Sequence, residues 1–219
     1  MTQKKLAGFI DHTILKADCS KADIQKLCSE AIEYDFAAVC IPPYWVKTSV
    51  LLLEKSKCKV ATVIGFPMGY SATASKVEEI KRAIDEGADE LDVVINICAL
   101  KEGNWSYVAN DINTMTTAVH LKGKVIKVIL ETGLLTTSEI QKVSEICMKA
   151  RTDFIKTSTG FNGGGATIEA VETMKAVVGN KVKIKASGGI KTAKDAQSFI
   201  NAGANRLGCS SGVAIVTKK

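Results

Sequence analysis

The sequence predicts a closed (β/α)8 barrel, an α/β fold forming one domain over residues 1–219. Three observations carry this expectation. Short apolar runs of strand length alternate with helical-period segments eight times, with no long linker and no low-complexity stretch. A chain of 219 residues suits one barrel, since such domains run to about 200–250 residues. Glycine-rich turns follow the seventh and eighth strand segments, where barrels often seat a phosphate. A doubly wound open sheet is the alternative. It ordinarily uses fewer strands and places Gly-x-Gly-x-x-Gly after the first, which is absent here.

Residues 9–15 read as the first strand. Ser20 and Asp23 make a capping-box pattern, and behind it Ile24, Leu27, Cys28 and Ala31 fall on one helical face. The second strand, 37–41, is stopped by Pro42 and Pro43, and a helix follows over 44–55. The third, 60–66, ends at Pro67 and Gly69. Its helix, 75–86, turns Val77, Ile80 and Ile84 inward and closes at Gly87. The fourth strand is 90–96, with a helix over 105–120. The fifth is 124–131, and Thr136 with Glu139 opens a helix through Ala150. The sixth is 153–157, with Thr167 capping a helix to Val178. The seventh is 181–187, and Thr192 with Asp195 caps a helix to Ala202. Residues 205–208 form a short eighth strand, and 210–216 a last short helix.

Hydrophobic residues make up 46% of the chain and aromatics 5%, so the core is expected to be large and aliphatic. No apolar run reaches the roughly 18 residues that span a membrane, and the first five residues lead into no signal-peptide pattern. The seven cysteines are scattered without Cys-x-x-Cys, several in apolar surroundings such as Cys28 and Cys147. They read as buried thiols of a cytoplasmic protein, without a disulfide or metal framework. The net charge of +6 is spread, with no dense basic block, so an anionic small molecule explains it as well as a nucleic acid would.

The chemistry centres on residues 153–161, Asp-Phe-Ile-Lys-Thr-Ser-Thr-Gly-Phe. Lys156 ends an apolar strand just before a flexible, glycine-rich loop, at the sheet end where ligands bind. A buried lysine is costly unless it is paired or loses its proton, and a neutral lysine amine forms Schiff bases with carbonyls. A lysine that merely snorkels to water is the plainer reading. Side-chain alternation adds weight. Asp92 shares a face with Val94 and Asn96, Lys156 with Phe154 and Ser158, Lys185 with Lys183 and Ser187, and Lys127 lies between Val125 and Ile129. Three lysines and an aspartate inside apolar strands imply a polar cluster in the barrel mouth. A purely structural ion-pair network would look the same. Gly188-Gly189 after the seventh strand and Gly208-Cys209-Ser210-Ser211-Gly212 after the eighth are candidate phosphate turns.

The segment at 153–161 resembles the Schiff-base segment of deoxyribose-phosphate aldolases. Ile10–Thr13 fits the same family, as do Gly65-Phe66-Pro67-Met68-Gly69 and the runs at 90–96, 127–132, 185–190 and 210–212. The matches run in order from about residue 9 to 216. The resemblance implies a metal-free, cofactor-free class I aldolase with a TIM barrel fold. It would cleave 2-deoxy-D-ribose 5-phosphate to D-glyceraldehyde 3-phosphate and acetaldehyde. Lys156 matches the Schiff-base lysine, Lys185 the second active-site lysine and Asp92 the proton-relay carboxylate. Gly188, Gly189, Ser210 and Ser211 match the phosphate turns, and Gly160 the glycine beside them. Asp11 and Thr13 match polar residues of the pocket floor and Cys40 a cysteine near substrate. Lys127 is expected to complete the Asp92 network. The expected partners are sugar phosphates and aldehydes, with no nucleic acid and no membrane. A homodimer or homotetramer is compatible with the resemblance.

The chemistry agrees. A second ammonium beside Lys156 disfavours its charged form and leaves free amine near neutrality. Asp92, through a water, can then move the protons. Ile41-Pro42-Pro43 and Asn162 depart from the family pattern, and no tyrosine follows Tyr107, so a terminal tyrosine of the kind some relatives use is absent. A different phosphate-binding barrel enzyme and a non-catalytic sugar-phosphate module are the rival classes. An isomerase would need a Glu or His base at a strand end, and a binding module would not need two interior lysines.

Overall fold

Strands buried on both faces read as nearly continuous apolar runs, and that pattern selects a parallel sheet covered by helices. Every residue of Ala38–Ile41 and of Glu90–Val94 is buried. The structure, a computed structural model, describes residues 3–217. Its strands are β1 (Ile10–Thr13), β2 (Ala38–Ile41), β3 (Lys59–Ile64), β4 (Glu90–Val94), β5 (Val125–Ile129), β6 (Phe154–Lys156), β7 (Lys183–Ser187) and β8 (Arg206–Cys209). They pair in chain order, all parallel, and β1 closes on β8 with Asp11 opposite Gly208. The fold is therefore the (β/α)8 barrel that the alternation predicts.

The helices are α1 (Gln3–Ala7), α2 (Lys21–Glu33), α3 (Val46–Leu53), α4 (Thr73–Asp85), α5 (Ile97–Lys101), α6 (Trp105–His120), α7 (Thr137–Lys149), α8 (Ile168–Val178), α9 (Ala193–Asn201) and α10 (Gly212–Thr217). The three capping boxes form at Ser20, Thr136 and Thr192, and Thr167 caps α8 through the Ala170 amide. Two helices were not expected, α1 and α5, each five residues long and too short to show a period. Asn96 is the cap of α5, its side chain accepting from the Ala99 amide at 3.0 Å, so β4 stops at Val94 and Asn96 leaves the interior face. The expected helix from Tyr44 starts instead with a 3-10 turn at Pro43–Trp45. Among the described residues no helix is long and apolar enough to cross a membrane, and all seven cysteines are free thiols.

The aliphatic core lies between the sheet's outer face and the helices, with Ile24, Ile80, Ile112, Val143 and Met174 among its buried side chains. A second, small apolar cluster inside the barrel is made by Ala38, Cys40, Ala61 and Val63 of β2 and β3. Beside it lie the charged side chains of β1, β4, β5, β6, β7 and β8.

A buried ion pair lies outside the barrel. The helical pattern turns Val77, Ile80 and Ile84 inward on α4, yet Val77 and Ile84 are only half-buried and Lys76 is fully enclosed. Its ammonium donates to Asp111 Oδ2 at 2.6 Å and to the carbonyls of Gly69 and Val94 at 3.2 Å, and Thr73 donates to Asp111 Oδ1 at 2.7 Å. The pair thus fastens α4 to α6 and to the loop after β3. Breaking a buried pair strands a charge and costs about 3–5 kcal/mol. Asp111→Ala should lower unfolding stability by that order in a denaturant titration. Lys76→Met combined with Asp111→Leu should lose clearly less.

Candidate active site

Strand alternation sends Asp11, Glu90, Asp92, Lys127, Lys156, Lys185 and Arg206 into the barrel, and the register sets Asp92 beside Lys127 and Lys156 beside Lys185. Asp92 is the hub. Its Oδ1 takes Lys127 Nζ at 2.9 Å, and its Oδ2 takes both Lys156 at 2.8 Å and Lys185 at 2.7 Å. Lys185 also reaches Asp11 at 2.5 Å, and Lys127 reaches Glu90 at 2.6 Å. Arg206 closes the base of the cluster, donating to Asp11 at 2.6 Å and to Glu90 at 3.0 Å. Gly208 makes room for this arrangement, since a Cβ there would lie 3.0 Å from Lys185 Cε.

Four basic side chains share three carboxylates through these ion pairs. Burial alone would push Asp92 up, but Lys127, Lys156 and Lys185 together hold it well below the usual carboxylate range. Asp11 is held down in the same way against its own burial, chiefly by Lys185 and Arg206. Burial would lower Lys185, yet Asp11 and Asp92 raise it well above an ordinary lysine, so its charge is fixed. Burial raises the Cys40 thiol, which stays neutral 4.0 Å from Asp92.

Above the cluster opens a pocket of about 840 Å³, walled in part by Thr13, Lys156, Gly188, Gly189, Ser210 and Ser211. Lys156 is the member of the cluster that borders it, at 3% exposure against 0% for Lys127 and Lys185. The glycines have a steric cause. A Cβ on Gly165 would sit 2.3 Å from the Gly188 carbonyl oxygen, and Gly188 itself has φ +87°. The loops after β6 and β7 can therefore touch backbone to backbone beside Lys156.

The site residues read from the sequence separate into layers. Lys156, Thr13, Gly188, Gly189, Ser210 and Ser211 line the pocket. Asp92, Lys185, Lys127, Asp11 and Cys40 lie beneath its floor with no exposed surface. Thr13 holds its hydroxyl on the Asp11 carbonyl at 2.8 Å. Gly160 is exposed, at φ +86°, and stands outside the pocket wall. Glu90 and Arg206 were not singled out, although alternation from Asp92 and Gly208 points to both. Neither histidine joins the cluster: His12 faces outward to Glu30 at 2.7 Å, and His120 pairs with Asp153 at the surface.

The fold and this mouth define a class, a (β/α)8 barrel that holds buried amines on a shared carboxylate beneath a pocket bordered by glycine and serine turns. A family profile for the DeoC/LacD family aldolases matches residues 6–218. The chain belongs to that family, and it is an aldolase, a carbon–carbon lyase. It is 52% identical over 219 residues to the deoxyribose-phosphate aldolase of Caldicellulosiruptor saccharolyticus, covering 100% of each chain. It is 51% identical to that of Thermococcus gammatolerans, covering 99% of this chain and 97% of the other. Among solved structures, a tetrameric deoxyribose phosphate aldolase from Aeropyrum pernix superposes with a TM-score of 0.92 at 30% identity, over 98% of this chain and 91% of that one.

Proposed function

We propose that this aldolase acts on 2-deoxy-D-ribose 5-phosphate through a Schiff base on Lys156, in the breakdown of deoxyribose phosphates. The observation that carries the reading is Lys156, the pocket-facing amine, sharing one oxygen of Asp92 with a permanently charged Lys185. Four bases meet three carboxylates in the cluster, and Lys156 is the one of the four that touches the pocket.

The free amine adds to the C1 aldehyde of the open-chain sugar, and loss of water yields the imine. The protonated imine draws in the electron pair of the C2–C3 bond as the C3 hydroxyl gives up its proton. D-Glyceraldehyde 3-phosphate leaves and an enamine remains. Protonation of C2 and hydrolysis release acetaldehyde and restore the amine. Asp92, through a water, moves the protons in these steps, and Lys127 and Lys185 hold it ionised against its burial. Lys127 fixes the other oxygen of Asp92. Gly188, Gly189, Ser210 and Ser211 seat the phosphate, and Gly160, outside the pocket wall, gives the loop after Lys156 its turn. Asp11, Thr13 and Cys40 support the floor. No metal or cofactor enters this scheme. A homodimer or homotetramer, cytoplasmic and independent of nucleic acid and membrane, is the expected form.

Reduction with borohydride in the presence of acetaldehyde should add an ethyl group to Lys156, read by peptide mass spectrometry. Activity should survive exhaustive chelation. Label on another lysine, or a strict need for a divalent ion, would overturn the Schiff-base assignment.

A further inference from the structure

Glu131 is a buried carboxyl that the mechanism above does not use. It follows β5, and its backbone stands at φ +60°, a region costly for a residue with a Cβ. The cause is a bulge. The Leu130 amide bonds the Lys156 carbonyl at 2.9 Å and the Thr132 amide bonds the Thr157 carbonyl at 2.9 Å, so two steps along β5 match one along the β6 side. Glu131 is the extra residue. Bulges re-aim side chains beside active sites.

This one is aimed at the loop after Lys156. The Thr159 amide donates to the Glu131 carboxyl at 3.1 Å, and the Thr159 hydroxyl donates to Oε2. That hydroxyl in turn accepts from the Phe161 amide at 3.1 Å. Phe161 lines the pocket and meets Phe66 edge-on at 5.3 Å, and Asn162 donates to the Pro67 carbonyl at 2.9 Å. The contacts run unbroken from Glu131 to the pocket wall. Burial lifts the Glu131 carboxyl above its ordinary value, against the pull of hydrogen bonds from Thr159 and Asn162. Its contacts with Thr159 are hydrogen bonds, which an amide can largely reproduce.

We propose that Glu131 is a positioning residue that clamps Thr159, and through it sets Phe161 as a fixed wall of the substrate pocket before substrate arrives. The proposal rests on the reading of Lys156 as the nucleophile. It concerns binding of the sugar phosphate, while the amine itself is held by the β-ladder and Asp92.

The test compares Glu131→Ala, Glu131→Gln and Thr159→Val with the parent. Loss of the two hydrogen bonds from Thr159 should raise KM for deoxyribose 5-phosphate by about tenfold or more in Glu131→Ala. Labelling of Lys156 by acetaldehyde and borohydride at saturating aldehyde should stay within about threefold of the parent, a shift of under a kcal/mol. Glu131→Gln should restore KM to within the same factor. Amide exchange without substrate should quicken in residues 158–165 of Glu131→Ala and, to a lesser degree, of Thr159→Val, with Thr159→Val still folded and melting in a single cooperative transition. If Glu131→Ala does not fold, Thr159→Val and Glu131→Gln decide through loop exchange and KM alone. Unchanged loop exchange in Thr159→Val, or Glu131→Gln with parental loop exchange but slow labelling at saturation, would overturn the proposal, the latter by making Glu131 a participant in proton transfer. A parent that labels nowhere on Lys156 would instead sink the Schiff-base reading and leave the exchange result standing on its own.

Discussion

Lys156→Leu should lose activity by about 10⁴-fold or more, since no other amine borders the pocket from this cluster. The protein should nevertheless stay folded. Asp92 retains Lys127 and Lys185, and the ion-paired cluster becomes three bases on three carboxylates. A steady-state assay beside a thermal melt checks both halves of this expectation, and borohydride with acetaldehyde should leave the variant unlabelled. Substantial residual cleavage with label on a second lysine would reassign the nucleophile.

Lys185→Leu should lose activity by on the order of a hundredfold near neutrality, and regain part of it as pH rises. The count of charges supplies the reason. With Lys185 gone, three carboxylates face three bases, and the surplus positive charge beside Lys156 is lost. Each tenfold in free amine corresponds to about 1.4 kcal/mol of lost repulsion and gained attraction. If Lys185 serves only to anchor Asp92, the loss is independent of pH, because the relay is displaced at every pH. The pH dependence of imine formation separates the two, and an alkaline limb matching the parent's would mean that Lys185 does not govern the nucleophile.

Much of this architecture is legible in the amino-acid order because it is local. Ser20, Thr136, Thr192 and Thr167 announce their helices within four residues, and all four caps form. The interior lysines are legible for a different reason: period-two alternation gives the facing of any strand side chain, so Asp92, Lys127, Lys156 and Lys185 could be placed together before their distances were known. Lys76 was not legible. A lysine on a helix is ordinarily read as solvent-facing, and its burial depends on Asp111 from another helix. Glu131 was hidden by the bulge, which breaks the alternation at the residue where it would have been needed. The short helix at Ile97–Lys101 escaped because one turn carries no period, although Asn96 was a usable cap signal.

The interior ion pairs divide along the chain in a way that bears on how the barrel comes together. All three carboxylates, Asp11, Glu90 and Asp92, come from β1 to β4, and all four bases, Lys127, Lys156, Lys185 and Arg206, come from β5 to β8. Each half-barrel alone would gather like charges along its inner surface and repel itself. Each is the electrostatic complement of the other, so the halves are partners that attract across the axis and cannot be exchanged for copies of themselves. Closure of the barrel and assembly of the Asp92 cluster are then a single event, since Asp92 acquires its lysines only when the second half arrives.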